Sequence, residues 1–452
     1  MNKKSFYYSR RNFLKSSALG IVGTTVTAPA FLSSCSGPGS GESKLKDVVV
    51  PEILSSAPDG RPLKAGLVGC GGRGTGAAAD FLSAGTGLQI TALGDVFRDK
   101  LDACRNALKD QGQIIPDENC FVGFDAYRKV IDSGVDVVLL CTPPVFRPLH
   151  FEYAIEQNKH CFIEKPCAVD PVGARRILAT GRKATAQQLS VISGTIRRSQ
   201  KDCIETYRRV AGGAIGDIVS AHVSRLGGAL WYIRRRAEWS DMEYMLRNWV
   251  NFCWTSGDHI VEQFIHEIDQ MSWFMGDRRP LRAEATGGRQ RRVTGDMYDH
   301  FSVEYLYEND LRAHCTTRQI AGCDSQNIIM VYGTKGYTNC NNAIYNLDGS
   351  IAWQYPAPKP EDADQSMAVP NPFVQEHIRL VTAIRTGQPV SDVEQHVQST
   401  LMAIMGRESA YTGKFVTWEQ IMSSAMKLGP EDSRLGPVPG IREEIPVAGT
   451  PA

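Results

Sequence analysis

The 452-residue chain is expected to be an α/β protein: a parallel-sheet domain with helices on both faces, then a second domain that mixes helices with a run of strands. Three observations predict this. Apolar, β-branched runs alternate with helical patterns from residue 63 to 193. A glycine cluster separates the first of those strands from the first helix. Beyond residue 218 the dominant pattern becomes two-residue alternation. With 42% hydrophobic and 22% charged residues, the composition excludes whole-chain disorder and collagen-like repeats.

Residues 1–34 read as an address. Ser9-Arg10-Arg11-Asn12-Phe13-Leu14-Lys15 and the apolar run 18–34 match a twin-arginine export signal. The run ends Leu32-Ser33-Ser34-Cys35, a lipoprotein cleavage box that would leave Cys35 as a lipidated first residue. The competing reading is a retained N-terminal anchor helix. We expect export by the twin-arginine route to the periplasm, with membrane attachment only through a lipid on Cys35. Residues 35–62 are expected to be a linker. No other stretch approaches the ~20 apolar residues of a spanning helix. The formal charge is +1, but residues 1–34 hold five cations and no acid, so the body is mildly acidic and nucleic acid is not the expected partner. Eleven cysteines follow Cys35 with no Cys-x-x-Cys pair, which gives zinc ribbons and thioredoxin-type motifs no support. An odd number of thiols fits a chain that folds before export.

Residues 64–68 predict a strand and 75–83 a helix, with Gly69-Cys70-Gly71-Gly72-Arg73-Gly74 between them. In that setting Gly69 permits a tight turn, Gly71 lets backbone approach a pyrophosphate, and Gly74 lets helix and strand pack closely. Gly72 and Arg73 complete the loop at the helix N-terminus, where phosphates bind. A strand over 88–93 leads to Asp95, 21 residues after Gly74, where an acid binds the adenosine ribose. This predicts a Rossmann dinucleotide-binding domain over 63–193 that takes NAD. NADP is the alternative, because Arg98 lies close enough to blur the preference. Val135–Cys141 predicts a buried parallel strand ending at Thr142-Pro143-Pro144, on the strand-end side where such sheets bind ligands. A helix over 149–157, a strand over 160–163 ending in Glu164-Lys165-Pro166, a helix over 171–186 and a strand over 190–193 complete the pattern.

The later half predicts strands over 218–228, 281–293, 299–307, 311–320 and 326–332, and helices over 240–251, 261–275 and 371–412 that pack back on the core. Residues 356–372 read as an unpatterned loop, and 421–452 as a C-terminal extension. Trp231–Trp239 reads either as an aromatic, arginine-rich rim of a sugar site or as a solvated loop.

Taken together, the glycine motif, Asp95, Thr142-Pro143, His150 and Asn158-Lys159-His160-Cys161-Phe162-Ile163-Glu164-Lys165-Pro166 resemble the Gfo/Idh/MocA oxidoreductases. So do Ile215-Gly216-Asp217-Ile218 and the segment Gly257–Asp269, which resembles that family's Asp-x-Gly-x-His-x-x-Asp stretch. The resemblance spans roughly residues 63–420. It implies a substrate-binding α+β domain over 194–420 with a large, mainly antiparallel open sheet, whose surface is also a candidate for homo-oligomer formation. It implies cofactor contacts from Thr142, Pro143, His150, Glu164 and Lys165. It implies that Lys165 and His266 are the catalytic pair, the lysine bonding nicotinamide ribose and substrate hydroxyl, the imidazole taking and returning the hydroxyl proton. Asp269 at i+3, Glu262 at i−4 and His259 one turn earlier fall on the face of His266 and are candidate substrate ligands. Arg197 is another; its neighbour Arg198 reads as an ordinary surface charge. His300 reads as decoration of a sheet face. His259, Glu262 and His266 have helical spacing for a metal, but the implied chemistry needs none.

Two positions depart from the resembled pattern: Glu262 where Asp is usual, and Phe264 where Gly is usual. Both put the substrate's identity outside what the resemblance transfers. The expected activity is NAD(P)-dependent hydride transfer to or from a secondary hydroxyl of a sugar, polyol or glycoside. The alternative is an NAD-dependent glycosidase working by transient oxidation, elimination and re-reduction. A sugar- or nucleotide-binding lipoprotein without catalysis is disfavoured by the presence of both Lys165 and His266.

Overall fold

The computed structural model describes residues 52–356, 371–438 and 445–450. The export signal, Cys35, the first part of the expected linker and most of the loop 356–372 lie outside the described residues.

Along the chain, the first layer is built from β1 (Leu63–Val68), α1 (Gly72–Leu82), β2 (Leu88–Asp95), α2 (Arg98–Lys109), β3 (Cys120–Val122), α3 (Ala126–Asp132), β4 (Val137–Leu140), α4 (Arg147–Glu156), β5 (His160–Ile163), α5 (Pro171–Ala186) and β6 (Val191–Ser193). The six strands are all parallel, in the order β3-β2-β1-β4-β5-β6. That order reverses direction at β1/β4, which opens a crevice at the strands' carboxyl ends. The central strands are covered on both faces, and every residue of β4 is buried, so Val-Val-Leu-Leu needs no polar alternation. Asp170 caps α5 by accepting from the Gly173 N–H at 2.7 Å, with Pro171 at the first helical position.

The second layer follows: α6 (Lys201–Ala211), β7 (Ile218–Gly227), α7 (Asp241–Arg247), α8 (Cys253–Ser256), α9 (His259–Glu262), α10 (Ile265–Phe274), β8 (Arg282–Gly288), β9 (His300–Leu306), β10 (Arg312–Gln319), β11 (Gln326–Gly333), β12 (Gly336–Thr338), β13 (Ala343–Asn346), β14 (Ile351–Gln354), α11 (Pro372–Thr386), α12 (Val393–Thr412), β15 (Val416–Thr417) and α13 (Trp418–Ser423). Its nine strands run β14-β13-β12-β11-β7-β10-β9-β8-β15. All neighbours are antiparallel except β7 and β10. In β9 the alternation is clean, with Phe301, Val303 and Tyr305 buried between half-exposed partners. The buried face packs on α10 and α12.

Four expectations change. The strand over 281–293 ends at Gly288, because the N–H groups of Gln290, Arg291 and Arg292 all turn inward to Asp299 Oδ2. The helix over 240–251 stops at Arg247 and tightens into a single 3₁₀ turn. The helix over 261–275 breaks at Gln263–Phe264, splitting α9 from α10. Part of the expected linker is docked on the first domain: Ala57 is buried, its N–H donates to Ala84 O at 2.8 Å, and Arg385 donates to Pro58 O at 2.7 Å. Helix α11 carries that arginine and lies on the first domain, where Ile378, Leu380 and Val381 share a core with Phe81 and Phe162.

Candidate active site

At the crevice the glycines divide their labour. Gly69 has φ +97°, and a Cβ there would meet Cys141 C and Thr142 N at 2.7 Å. A Cβ on Gly74 would lie 1.8 Å from Gly69 O. Both are therefore required by the turn and by helix–strand contact. Gly71 and Gly72 have no atom within 4 Å of a built Cβ and line a groove of about 340 Å³. Gly71 caps α1 without a side-chain hydrogen bond, so the first N–H groups of the helix are left for a ligand.

Asp95 closes β2 and faces this groove. Its Oδ2 accepts from Cys70 N–H at 2.7 Å and its Oδ1 from Phe97 N–H at 2.8 Å, which ties the strand end to the glycine turn. Burial raises its pKa, opposed by those two N–H groups. Each oxygen keeps a lone pair for a ribose hydroxyl. Thr142, Pro143 and His150 line the same groove. His150 stacks on Tyr127 with ring centroids 4.2 Å apart, and burial, followed by the charges of Arg147 and Arg128, drives its pKa down to about 3. The open cradle, the bare helix end and the strand-end carboxylate fit a dinucleotide.

The outer wall of the groove comes from the second domain. Trp231, Ile233, Leu246, Arg247 and Trp249 line it. The guanidinium of Arg247 makes two hydrogen bonds of 3.1 Å to the Asp99 carboxylate and lies 4.1 Å over the Phe97 ring. The segment expected either to rim a sugar site or to sit in solvent thus begins as a strap across the dinucleotide groove.

A second cavity, of about 690 Å³, shares Cys141 and Trp249 with the groove. Here Lys165 and His266 meet. Lys165 stands at the end of β5, and its Nζ donates to Glu262 O at 2.5 Å and to Glu262 Oε1 at 2.8 Å. Its own N–H donates to Glu164 Oε2 at 3.0 Å. Burial opposes the charge of Glu164, but Arg73, Arg147 and Lys165 outweigh it and hold the carboxyl below its usual range. The His266 ring faces the cavity, and among the described residues neither ring nitrogen has a hydrogen-bond partner. Burial first, then Lys165, Arg225, Arg197 and Arg73, push its pKa well below the ordinary imidazole value. It is a neutral imidazole at physiological pH, with a lone pair free to accept a proton.

Glu262 and Arg197, read as substrate ligands, both line this cavity. Arg73 and Glu164, expected at the cofactor, pair with each other on the cavity side of the glycine loop. Two expectations are corrected. Asp269 lies beneath the site, almost fully buried, accepting from Arg198 at 2.9–3.1 Å and from Ser399 Oγ at 2.6 Å. His259 is buried against Phe301, its Nδ1 3.2 Å from both Asp258 Oδ1 and Tyr298 O. The break at Gln263–Phe264 removes the single helical face that the spacing assumed. Arg198 is a third correction: it is a buried guanidinium bridging Asp269 and Asp277, the latter at 2.7 Å. His300 is half-exposed on the sheet, bonded to Asp299 at 2.9 Å. Sequence reasoning missed Arg225 and Glu267, a pair 3.0 Å apart in the cavity wall. Glu267 was adjacent to a candidate histidine, but nothing in the sequence links it to a strand 42 positions away.

Comparison with known proteins agrees with this architecture. Residues 63–193 match "Oxidoreductase family, NAD-binding Rossmann fold", and residues 204–339 match "GFO/IDH/MocA C-terminal domain". Inositol 2-dehydrogenase of Acidothermus cellulolyticus is 25% identical over 244 residues, 54% of this chain and 62% of that protein. Inositol 2-dehydrogenase of Cereibacter sphaeroides is 33% identical over 125 residues, 27% of this chain and 34% of that protein. The matched region thus spans less than two thirds of these relatives. Among solved structures, scyllo-inositol dehydrogenase from Lactobacillus casei with bound NAD(H) and scyllo-inositol superposes with a TM-score of 0.59 at 21% identity, covering 79% of this chain and 99% of that one. The aldose-aldose oxidoreductase of Caulobacter crescentus gives 0.59 at 20% identity, covering 79% and 100%. These two show a shared fold. With both of its domains matched over more than half of its length, the chain belongs to the GFO/IDH/MocA family of NAD-binding oxidoreductases.

Proposed function

We propose that the protein is an NAD-dependent oxidoreductase acting on a secondary hydroxyl of a polyol, sugar or glycoside. The observation that carries this reading is the meeting of Lys165 and a neutral His266 in one cavity that adjoins the dinucleotide groove. NAD, when bound, supplies the hydride acceptor or donor. The protein's part is to manage the proton and hold the substrate. His266 accepts the hydroxyl proton at a free ring nitrogen. Lys165, anchored at Glu262, presents the remaining N–H of its ammonium group to the substrate oxygen. The inositol dehydrogenase relatives support a polyol hydroxyl as the reacting group.

Asp95 supports NAD over NADP, since its carboxylate would repel a 2′-phosphate. The segment Arg10-Arg11 through Cys35 supports export and a lipid anchor, and the exposed face of the nine-stranded sheet is the surface offered to a second copy. Replacing Arg10 and Arg11 by Lys is expected to leave precursor in the cytoplasm, seen by fractionation.

The test is a panel of cyclitols, sugars and glycosides, scored for nicotinamide reduction. Lys165→Ala and His266→Ala are each expected to lower turnover by about 10²–10⁴-fold with NAD still bound. Full activity in both variants would refute the site. Glycoside cleavage with constant NAD and deuterium entering from solvent at C2 would replace the redox reading with the hydrolytic one.

A further inference from the structure

The charges around the larger cavity do not balance in pairs. Arg73 is matched by Glu164, Lys165 by Glu262 and Arg225 by Glu267. Asp202 also lines the wall, in the first turn of α6, where its Oδ1 accepts from Cys203 N–H at 2.8 Å. Among the described residues, two cations of the wall have no such ion pair: Arg147, buried with its Nη1 on Pro166 O, and the half-buried Arg197. The Nη1 of Arg197 donates to Gln200 Oε1 at 2.7 Å, and among the described residues it has no carboxylate within ion-pairing distance. Arg225 lines the same cavity with only Nη1 engaged, to Gln263 O and to Glu267. The Nε and Nη2 of both arginines are therefore unspent, and both positive charges bear on His266.

A guanidinium is a planar fork of donors that matches the two oxygens of a carboxylate. A neutral polyol offers only hydroxyls and would leave the Arg197 charge in the cavity without a counter-ion. We infer that Arg197, which lines one cavity with Arg225, binds a carboxylate on the substrate, so that the preferred substrate is an acidic sugar of the uronic or aldonic class, or a glycoside of one. This rests on the oxidoreductase reading above and deepens it. It also separates this chain from relatives named for inositol, a neutral ring.

The anion has a second effect. The charges that act most on His266 are Lys165, Arg225, Arg197 and Arg73, and the same wall also holds Arg147 and the carboxylates of Glu164, Asp202, Glu262 and Glu267. A bound carboxylate offsets the arginine charges, so the imidazole becomes more basic only when an acidic substrate is present.

The experiment uses the NAD-loaded full chain and matched ligands: a hexose, its uronic acid, the methyl ester of that acid, and the 6-phosphate. Binding is read by calorimetry and turnover by nicotinamide absorbance. The uronic acid is expected to bind at least tenfold more tightly than hexose or ester. Arg197→Met is expected to collapse that acid-to-neutral ratio to about one, and Arg197→Lys to restore part of it. In the wild type, the acidic limb of kcat should lie higher with the uronic acid than with the hexose, and this difference should vanish in Arg197→Met. NAD content and melting temperature of each variant report folding independently. An equal or better affinity for hexose in the wild type would overturn the inference, as would an unchanged ratio in Arg197→Met or a preference for the phosphate over the acid. Arg197-dependent binding of the acid without any nicotinamide reduction would instead sink the oxidoreductase reading and leave the anion site standing. Turnover of neutral polyols with no binding of acids would do the reverse.

Discussion

Adding one methyl group to the glycine loop at two positions separates its two functions. At Gly74 the new carbon would stand 1.8 Å from Gly69 O and 3.0 Å from Gly69 C. That backbone cannot retreat. Gly69 N–H is bonded to Gly94 O at 2.8 Å, and a carbon added on its other side would already meet the Cys141–Thr142 peptide at 2.7 Å. The helix α1 must move instead, and overpacking of this kind costs about 1–3 kcal/mol. For a domain of this size that lowers the melting temperature by roughly 2–12 °C, from about 2–4 °C per kcal/mol. At Gly71 the backbone has φ −72° and ψ −177°, open to any residue, and the methyl meets nothing within 4 Å. Glycine-to-alanine exchange at such a helix cap costs roughly a kcal/mol or less. The methyl nevertheless projects where backbone must approach the pyrophosphate. Gly71→Ala should therefore keep the cofactor-free melting temperature and lose NAD affinity by about tenfold or more. Gly74→Ala should lose both. Scanning calorimetry of stripped protein and fluorescence titration with NAD read the two quantities separately. Normal NAD affinity in Gly71→Ala, or unchanged melting in Gly74→Ala, would refute this account of the loop.

Arg198→Met removes the cation that bridges Asp269 and Asp277, and leaving such carboxylates unpaired should cost about 3–5 kcal/mol in urea unfolding; a loss below about 1 kcal/mol would mean the acids find other partners. Arg247→Ala loses ion pairs to Asp99 and Glu243 and the Phe97 stack; with Asp99 59% exposed it should cost about 1 kcal/mol, and as part of the groove's outer wall it should speed NAD release several-fold in a stopped-flow chase. An unchanged release rate would remove Arg247 from that role. His150, His377 and His396 are each pushed down to about 3 by burial, and His266 falls well below its ordinary value for the same first reason. The unfolded chain therefore binds protons near pH 6.5 that the folded chain refuses, so stability should fall as pH drops from 6.5 toward 3. His377→Phe, at a ring 4.5 Å from Phe162 with no partner for either nitrogen, should flatten that slope by one proton, measured by melting between pH 7 and pH 5.

What the sequence made legible was local or buried on both sides. The strand–glycine–helix unit is read within a dozen residues, and its chemistry is backbone chemistry. Strands such as β4 are apolar throughout because both faces are covered. The short strands β12, β13 and β14 went unread, since three or four residues carry too little alternation to stand out. Helix α3 was likewise missed; its seven residues give barely two turns. The site failed where the argument assumed an unbroken helix. His259 and His266 share a face only if α9 and α10 are one element, and Gln263 at φ −107° ends that continuity. Asp269 failed for a different reason: its helix is intact, but Arg198 and Ser399 lie on the far side and claim the carboxylate.

Glu262 shows how a correct position can conceal a different task. Its place four residues before His266 marks it as a substrate ligand. In the structure both its carbonyl and its carboxylate are turned on Lys165 Nζ. An ammonium group has three N–H donors, so two are spent on Glu262 and one is left to point into the cavity. The residue thus sets the direction of the lysine's remaining proton. The extra methylene of Glu, relative to the Asp usual in the resembled pattern, lengthens the reach by about one bond. It lets backbone and side chain of one residue hold the same ammonium. In this structure the carbonyl and one carboxylate oxygen of Glu262 are taken up by the lysine. Substrate contacts must then come from other residues in the wall, and the arginines at 197 and 225, with their unspent nitrogens, are the ones so placed.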